Sequence, residues 1–529
     1  YRSDQEYAEP WKSEISTARN RGLRLIREAD SVSAINKALN TAKSEIDAVI
    51  DQIPTEGAWD GETCTQPEQD KNGIYQITNG AEMAWFAKQV NDGKTSICGA
   101  LCNDISLGGK NWMPIGNSAN SPFTGSFEGN GYTVRSLKIT ESGRVAGLFG
   151  YVGGTKAQVI RNLTVAGTID CDYSAGFAGG IAAHAEGNVY FSNCHSRVDI
   201  TISRNSTRYG AAGGIVGHGE NVVVQNCSND GQVAIVSVTV GGMAYYCGGL
   251  IGNAEGNVTL TRSYNNGYVE AEYCAGGLIG HVLTQQQAVP TVTADYNMGE
   301  VQGGTYAGGL VGLMELKNGI TMNCCYTAGG VNLAHNGKYL GALFGGADGG
   351  DISNLYALKR SDQPSRLLVG YSSGFYANGN FVSEKELQSD DMLNQLNASG
   401  NNYIKDYLDY QNGYPLLEWE MSVEEFRLGA TSEQQTFVTA DQYTEENWAI
   451  VQKLIDEGIA NVQAGKTLEE INAALTNAKK AIYEVETKEE TAAARLQEAK
   501  DAAVAFLEGY LDPSLYREEE QIEITQYLV

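Results

Sequence analysis

AGGLIGHV, residues 275–282, is one statement of a phrase that keeps returning through the middle of the chain. The others are VAGLFGYV from Val145, FAGGIAAH from Phe177, AAGGIVGH from Ala211, CGGLIGNA from Cys247, AGGLVGLM from Ala307 and LGALFGGA from Leu340. The second small residue of the phrase falls at Gly147, Gly180, Gly214, Gly249, Gly277, Gly309 and Ala342, at steps of 33, 34, 35, 28, 32 and 33 residues. A fixed period of this size marks a repeat architecture, in which each unit stacks on the last and buries a shared core.

A second phrase follows each first one: NLTVAGTI, NCHSRVDI, NCSNDGQVAI, RSYNNGYVEA, ADYNMGEVQG and CCYTAGGV. Both phrases are short and roughly alternating, rich in β-branched or aromatic residues, and bounded by Gly, Asn or Asp, as strands are. No helical period separates them. Short strands repeated in this way stack into long parallel sheets, so the fold class expected is mainly β with α flanks, a right-handed parallel β-helix over residues 54–360. The paired glycines suit tight bends and close approach between coils.

The xGGLxGx phrase resembles the GLUG motif of bacterial surface proteins, some immunoglobulin A proteases among them. IYQITNGAEMAWFAKQVNDG, LCNDISLGGKNWMPIGN and FTGSFEGNGYTVRSLKI precede it in the order usual for that family, and QNGYPLLEWE resembles the usual close. The likeness covers about residues 57–420. It implies an extracellular, cell-surface setting.

The flanks read as helix. Trp11, Ile15, Leu23, Ile26, Ile35, Leu39 and Ile46 recur at three- and four-residue steps over residues 1–53. INKALNTAKSEIDAVI from Ile35 lines up with INAALTNAKKAIYEVE from Ile471 at an offset of 436, which also sets Gly22 on Gly458. These units resemble FIVAR modules, small three-helix bundles of bacterial surface proteins. Residues 361–430 lose the repeat and are expected to cap the β-helix, 431–442 to link onward, and 431–488 to hold a helical bundle. A solid helix from Lys488 leads the segment 489–529, where SLYREEEQIEITQYLV looks like the start of a truncated further module. Both ends read as those of a piece of something longer.

A net charge of −27 over 529 residues argues against nucleic acid or anionic membrane as partner. No run of eighteen apolar residues exists to insert in a bilayer. The ten cysteines form no CxxC. Aligning the repeats puts Cys194, Cys227, Tyr264, Tyr296 and Cys325 at one position. Cys194 above Cys227 is then close enough either for a disulfide or for a stack of buried free thiols.

Two columns are candidates for function. Four residues after the marker stand Tyr151, His184, His218, Asn253, His281 and Leu313, and two further on stand Glu186, Glu220 and Glu255. His with carboxylate holds a divalent metal or moves protons, but corners also favour such polar residues, and duplication copies them. Equivalent groups in a column lie parallel at ~4.8 Å rather than converging on a point. No metal, cofactor or catalytic residue is therefore expected. HExxH, GxSxG and Walker patterns are absent too. Three residues before the marker stand Phe177, Ala211, Tyr246, Cys274, Tyr306 and Tyr339. There Tyr246 and Tyr306 either contact a ligand or stack in the core, since the position shares strand parity with the Leu of GGL.

The function these features favour is a non-catalytic adhesin or stalk region, monomeric within a longer chain. It would present a β-helix surface to a glycan or a host surface protein. A polysaccharide lyase or glycoside hydrolase using the β-helix groove, or an accessory region of a surface protease, is the alternative.

Overall fold

The computed structural model describes residues 11–28, 42, 45, 46, 49 and 57–510, apart from 141–142, 172–175, 205–208, 238–244, 285–286, 334–336, 349, 364–366 and 373–378. The chain forms two compact units, Tyr1–Trp419 and Glu420–Val529. The first is a parallel β-solenoid of about seven turns, and helices lie toward both chain ends, as the repeat predicts.

Register follows the phrase. Ala178 pairs with Ala212, Ala212 with Cys247, Cys247 with Ala275, and Ala275 with Ala307, all in parallel. The apolar residue after the glycine pair points inward, so Ile181, Ile215, Leu250, Leu278, Leu310 and Leu343 form a fully buried stack. Each such side chain contributes about 1.5–3 kcal/mol on burial. At the N-terminal side, the helix Gly80–Asn91 is capped by the Asn79 side chain and buries Met83, Phe86, Ala87 and Val90 in the same core.

The glycine pair answers to a second buried column. Asn229, Asn265 and Asn297 occupy one register, with Ser196 and Thr327 on either side of them. Asn229 Nδ2 donates to Asn265 Oδ1 and Asn265 Nδ2 to Asn297 Oδ1, each at 2.8 Å. Each amide also donates to the carbonyl two residues on, at Gly231, Gly267 and Gly299. Buried amides need such partners. A Cβ on Gly214, Gly249 or Gly277 would stand 2.2–2.4 Å from the carboxamide carbon of its ladder asparagine. The repeat glycines are thus required by close approach, and none of these three has a positive φ.

Several boundaries and registers differ from the sequence reading. Tyr264 and Tyr296 stack with Tyr326, at 5.0 Å per step, rather than with Cys325. They align with His195 and Ser228, one residue past the cysteines. The Cys column therefore continues through Ser263 and Asp295, a slip that residue type alone does not reveal. Cys194 and Cys227 are buried free thiols, not a disulfide. Strands continue past residue 360 to Val382. Beyond them Leu387, Met392, Leu396, Tyr403, Tyr414 and Leu417 pack on the tyrosine column. Residues 384–417 thus cover a side of the coils; Tyr326 Oη donates to the Pro415 carbonyl at 2.6 Å.

In the second unit a helix, Val423–Thr436, occupies the end of the expected cap and the start of the expected linker at 431–442. Its capping box, Ser422 with Glu425, was the unread start signal. It packs with Glu445–Ala464 and Leu468–Tyr483 as a three-helix bundle. Lys488–Tyr510 is one helix, as expected. Of the N-terminal module only Trp11–Glu28 and isolated residues are described, and Leu39 and the third copy lie outside the described residues.

Candidate functional site

On the strands after each glycine pair, Ala185, Ala254, Val282 and Met314 point into the main core. Side chains alternate along a strand, so the residues on either side of them face outward. Both candidate columns follow from this. Tyr151, His184, His218, Asn253, His281 and Leu313 pair in sequence, and so do Glu186, Glu220, Glu255, Leu283 and Glu315. The imidazole column runs along the middle of the strands, whereas the glutamate column stands at their ends, beside the corner. The turns come immediately after, at Gly187, Asn221 and Gly256, with φ of 88°, 54° and 74°.

The imidazole column is covered, not open. His218 is 8% exposed, Asn253 2% and His281 3%. His184 stacks on His218 with ring centres 4.7 Å apart. Asn253 Nδ2 donates to His218 Nδ1 at 3.0 Å, and Asn253 Oδ1 accepts from His281 Nδ1 at 2.7 Å. His281 Nε2 meets Glu315 Oε2 at 2.9 Å. The bond from His281 holds the Glu315 carboxyl below its usual range. Burial, with His218 beside it, lowers His184 to about 4, and burial, with His281 nearby, does the same for His218. Both rings are therefore neutral near neutral pH, and the Nδ1 lone pair of His218 is taken by Asn253.

Over these rings lies an aromatic run. Phe177, Tyr209, Tyr246, Tyr273, Tyr306, Tyr339 and Tyr371 follow one another along the coils, with ring centres 5.8, 5.4, 6.0, 5.7, 4.9 and 5.0 Å apart. Tyr246 lies flat on His281 at 4.3 Å. Tyr209 and Tyr371 are about 40% exposed, and Phe177, Tyr273, Tyr306 and Tyr339 are partly exposed. Tyr246 is buried, at 7% exposure, in a small side cluster with Ala211, Cys274 and Leu313, and Tyr306 packs partly exposed against it; neither stands beside the Leu of GGL in the main core. Cys247 and Ala307, the next residues, are the ones inside, and the glycine corner breaks the alternation.

Beside this run stand the carboxylates. Glu186 is exposed, and Glu220 and Glu255 are partly buried. Burial raises the Glu220 carboxyl, and Glu186 and Glu255 on either side raise it further. Here donors from two coils come near one another. A ring nitrogen of His218 and a carboxylate oxygen from each of Glu220 and Glu255 lie within 4.8 Å of one another. Two residues apart on one strand, His218 and Glu220 share a face, and Glu255 reaches them from the next coil. Glu220 and Glu255 keep the expected in-register spacing, and the contact from His218 to Glu255 runs diagonally between the coils.

Sequence reading missed Glu315, Tyr209 and Tyr273. Glu315 stands at the glutamate register, six residues after Gly309, and that count would have found it. Tyr209 and Tyr273 sit just before strands, outside the repeat, and only tertiary packing joins them to the run.

No family model and no curated protein matches the chain. Among solved structures it is similar to a Bacteroides ovatus protein provisionally named an immunoglobulin A1 protease. The identity is 17% and the TM-score 0.44, over 69% of this chain and 98% of that one. It is also similar to a structure named IgA1 protease, with 15% identity and a TM-score of 0.34, over 48% of this chain and 21% of that one.

Proposed function

We propose that this chain is a non-catalytic, extracellular part of a bacterial cell-surface protein, and that its solenoid presents one lateral face to a glycan polymer. The observation that carries the reading is the aromatic run from Phe177 to Tyr371, continuous over successive coils and partly open to solvent. Sugar rings offer apolar faces that lie well on aromatic rings, and a repeating surface suits a repeating ligand. The net charge of −27 speaks for neutral polymers over acidic ones.

Affinity electrophoresis of the chain through gels holding neutral or acidic polysaccharides tests this. Retardation is expected in a neutral polymer. Tyr209→Ala with Tyr371→Ala, each removing an exposed ring worth about 0.5–1.5 kcal/mol of stacking, should weaken binding by roughly 5- to 150-fold. Unchanged migration in every polymer would end the reading.

One observation favours cleavage as a second reading. Glu220, with its raised carboxyl, and Glu255 approach within 4.8 Å. Acid and nucleophile carboxyls of retaining glycosidases stand about 5–5.5 Å apart. New reducing ends released from the same polymers, and lost in Glu220→Gln, would replace binding with hydrolysis.

A further inference from the structure

We propose that His218, Glu220 and Glu255 form a binding site for a divalent cation of the zinc class, built across two successive coils. It stands apart from the glycan reading, because it needs none of the exposed tyrosines.

The donor set is one imidazole and two carboxylates, with an atom from each within 4.8 Å of the others. Imidazole among the ligands favours zinc and its neighbours over calcium, which takes oxygen alone. Zinc ligands at about 2.0–2.2 Å stand roughly 3.3–3.6 Å apart around a tetrahedron, so the three atoms must close by about an ångström. That closure falls to the partly buried carboxylates, while the buried His218 ring stays fixed between His184 and Asn253. Glu186, one coil earlier and in register with Glu220, or a water supplies the fourth position.

Three further observations bear on a cation here. First, among the described residues Glu220 meets no positive charge, and its neighbours Glu186 and Glu255 are both acidic. Like charges stacked at strand spacing repel, and a cation between them removes that repulsion. Second, the buried His218 ring is held at Nδ1 by Asn253; with that amide donating, Nε2 keeps the ring proton, so a metal at Nε2 requires the amide to reverse. Third, the groups behind His218 form a relay of the kind that orients metal-bound imidazoles. Coordination through Nε2 requires a proton on Nδ1, and hence an acceptor opposite it. Turning the Asn253 amide over presents Oδ1 to His218 and hands the NH2 to His281 Nδ1. His281 then donates its Nε2 proton to Glu315. The contacts His218–Asn253, Asn253–His281 and His281–Glu315 then each pair one donor with one acceptor.

The test titrates zinc chloride, and separately calcium chloride, into the full chain stripped of metal, near neutral pH, with the heat followed by calorimetry. About one equivalent of zinc should bind with a dissociation constant below about 10 µM, and Glu220→Gln and Glu255→Gln should each weaken it at least about tenfold. Calcium should bind far more weakly. Cobalt in place of zinc should give visible bands without thiolate charge transfer, which separates this site from the cysteines, and Cys64→Ser should leave binding unchanged. Zinc should raise the melting temperature of the wild type and not of the glutamine variants, whose metal-free melting should equal or exceed that of the metal-free wild type, since each removes one of the repelling carboxylates. If either glutamine variant fails to fold, His218→Asn replaces it, since Asn253 already fills that register in the next coil. Zinc bound equally well by the folded variants, thiolate bands with cobalt, or calcium bound as tightly as zinc would each overturn the proposal.

Discussion

Asn229 begins its ladder with an unmet acceptor. Its Oδ1 is buried without a partner, because the preceding rung is Ser196, whose hydroxyl does not reach it. The space for a longer rung is already present. Gly180 lies over Ser196 as Gly214 lies over Asn229, and Val198 offers a carbonyl where the later rungs use Gly231 and Gly267. Ser196→Asn is expected to donate to Asn229 Oδ1 and to stabilise the solenoid by about 0.5–1.5 kcal/mol, read from denaturant midpoints. A loss instead would mean that Val165, in register on the preceding coil, leaves no room. At this scale the sequence announced the glycines without their reason. The GG pair and the Asn sit 15 to 20 residues apart, and only the closed coil sets them in contact.

The second unit's helices are legible as elements. Leu475, which the offset of 436 matches to Leu39 of the N-terminal apolar stripe, is 2% exposed. Gly458 marks the closest crossing, where an added Cβ would meet that of Ala478 at 2.6 Å. Leu475→Ala should destabilise the bundle by about 2–5 kcal/mol, followed by helical circular dichroism. A change under about half a kcal/mol is what surface positions give, and it would show the helix period to be misread. The helix before it, Val423–Thr436, was hidden because its face is weakly apolar: Phe426, Gly429, Ala430 and Gln434 are what it buries. Hydrophobic period fails as a signal where small and polar residues fill a helix crossing. The same limit applies to the tyrosine column, whose apolar cover comes from a segment some 90 residues on in sequence.

The solenoid as a whole is one stack of coils in which each core residue touches its equivalents above and below, so its β structure should not depend on the helical unit. A chain ending at Trp419 is expected to give a β-dominated circular dichroism spectrum and a cooperative transition. A helix-dominated spectrum from that fragment would contradict the fold. Among the described residues no helix is long and apolar enough to cross a membrane.

The sequence by itself determined the solenoid, its period and the register of its outward columns. Parallel coils repeat what one coil does, so a count along the chain becomes a position in space. It placed His184, His218, Asn253 and His281 in one line, and Glu186, Glu220 and Glu255 in another. Tertiary structure alone decided what those lines can do. Whether a column is open or covered depends on residues outside the repeat, such as Tyr209 and Tyr273. Whether parallel groups meet depends on the diagonal between neighbouring coils. That diagonal joins His218 and Glu220 to Glu255 through the pleat of the strands, and a one-dimensional period carries no record of it.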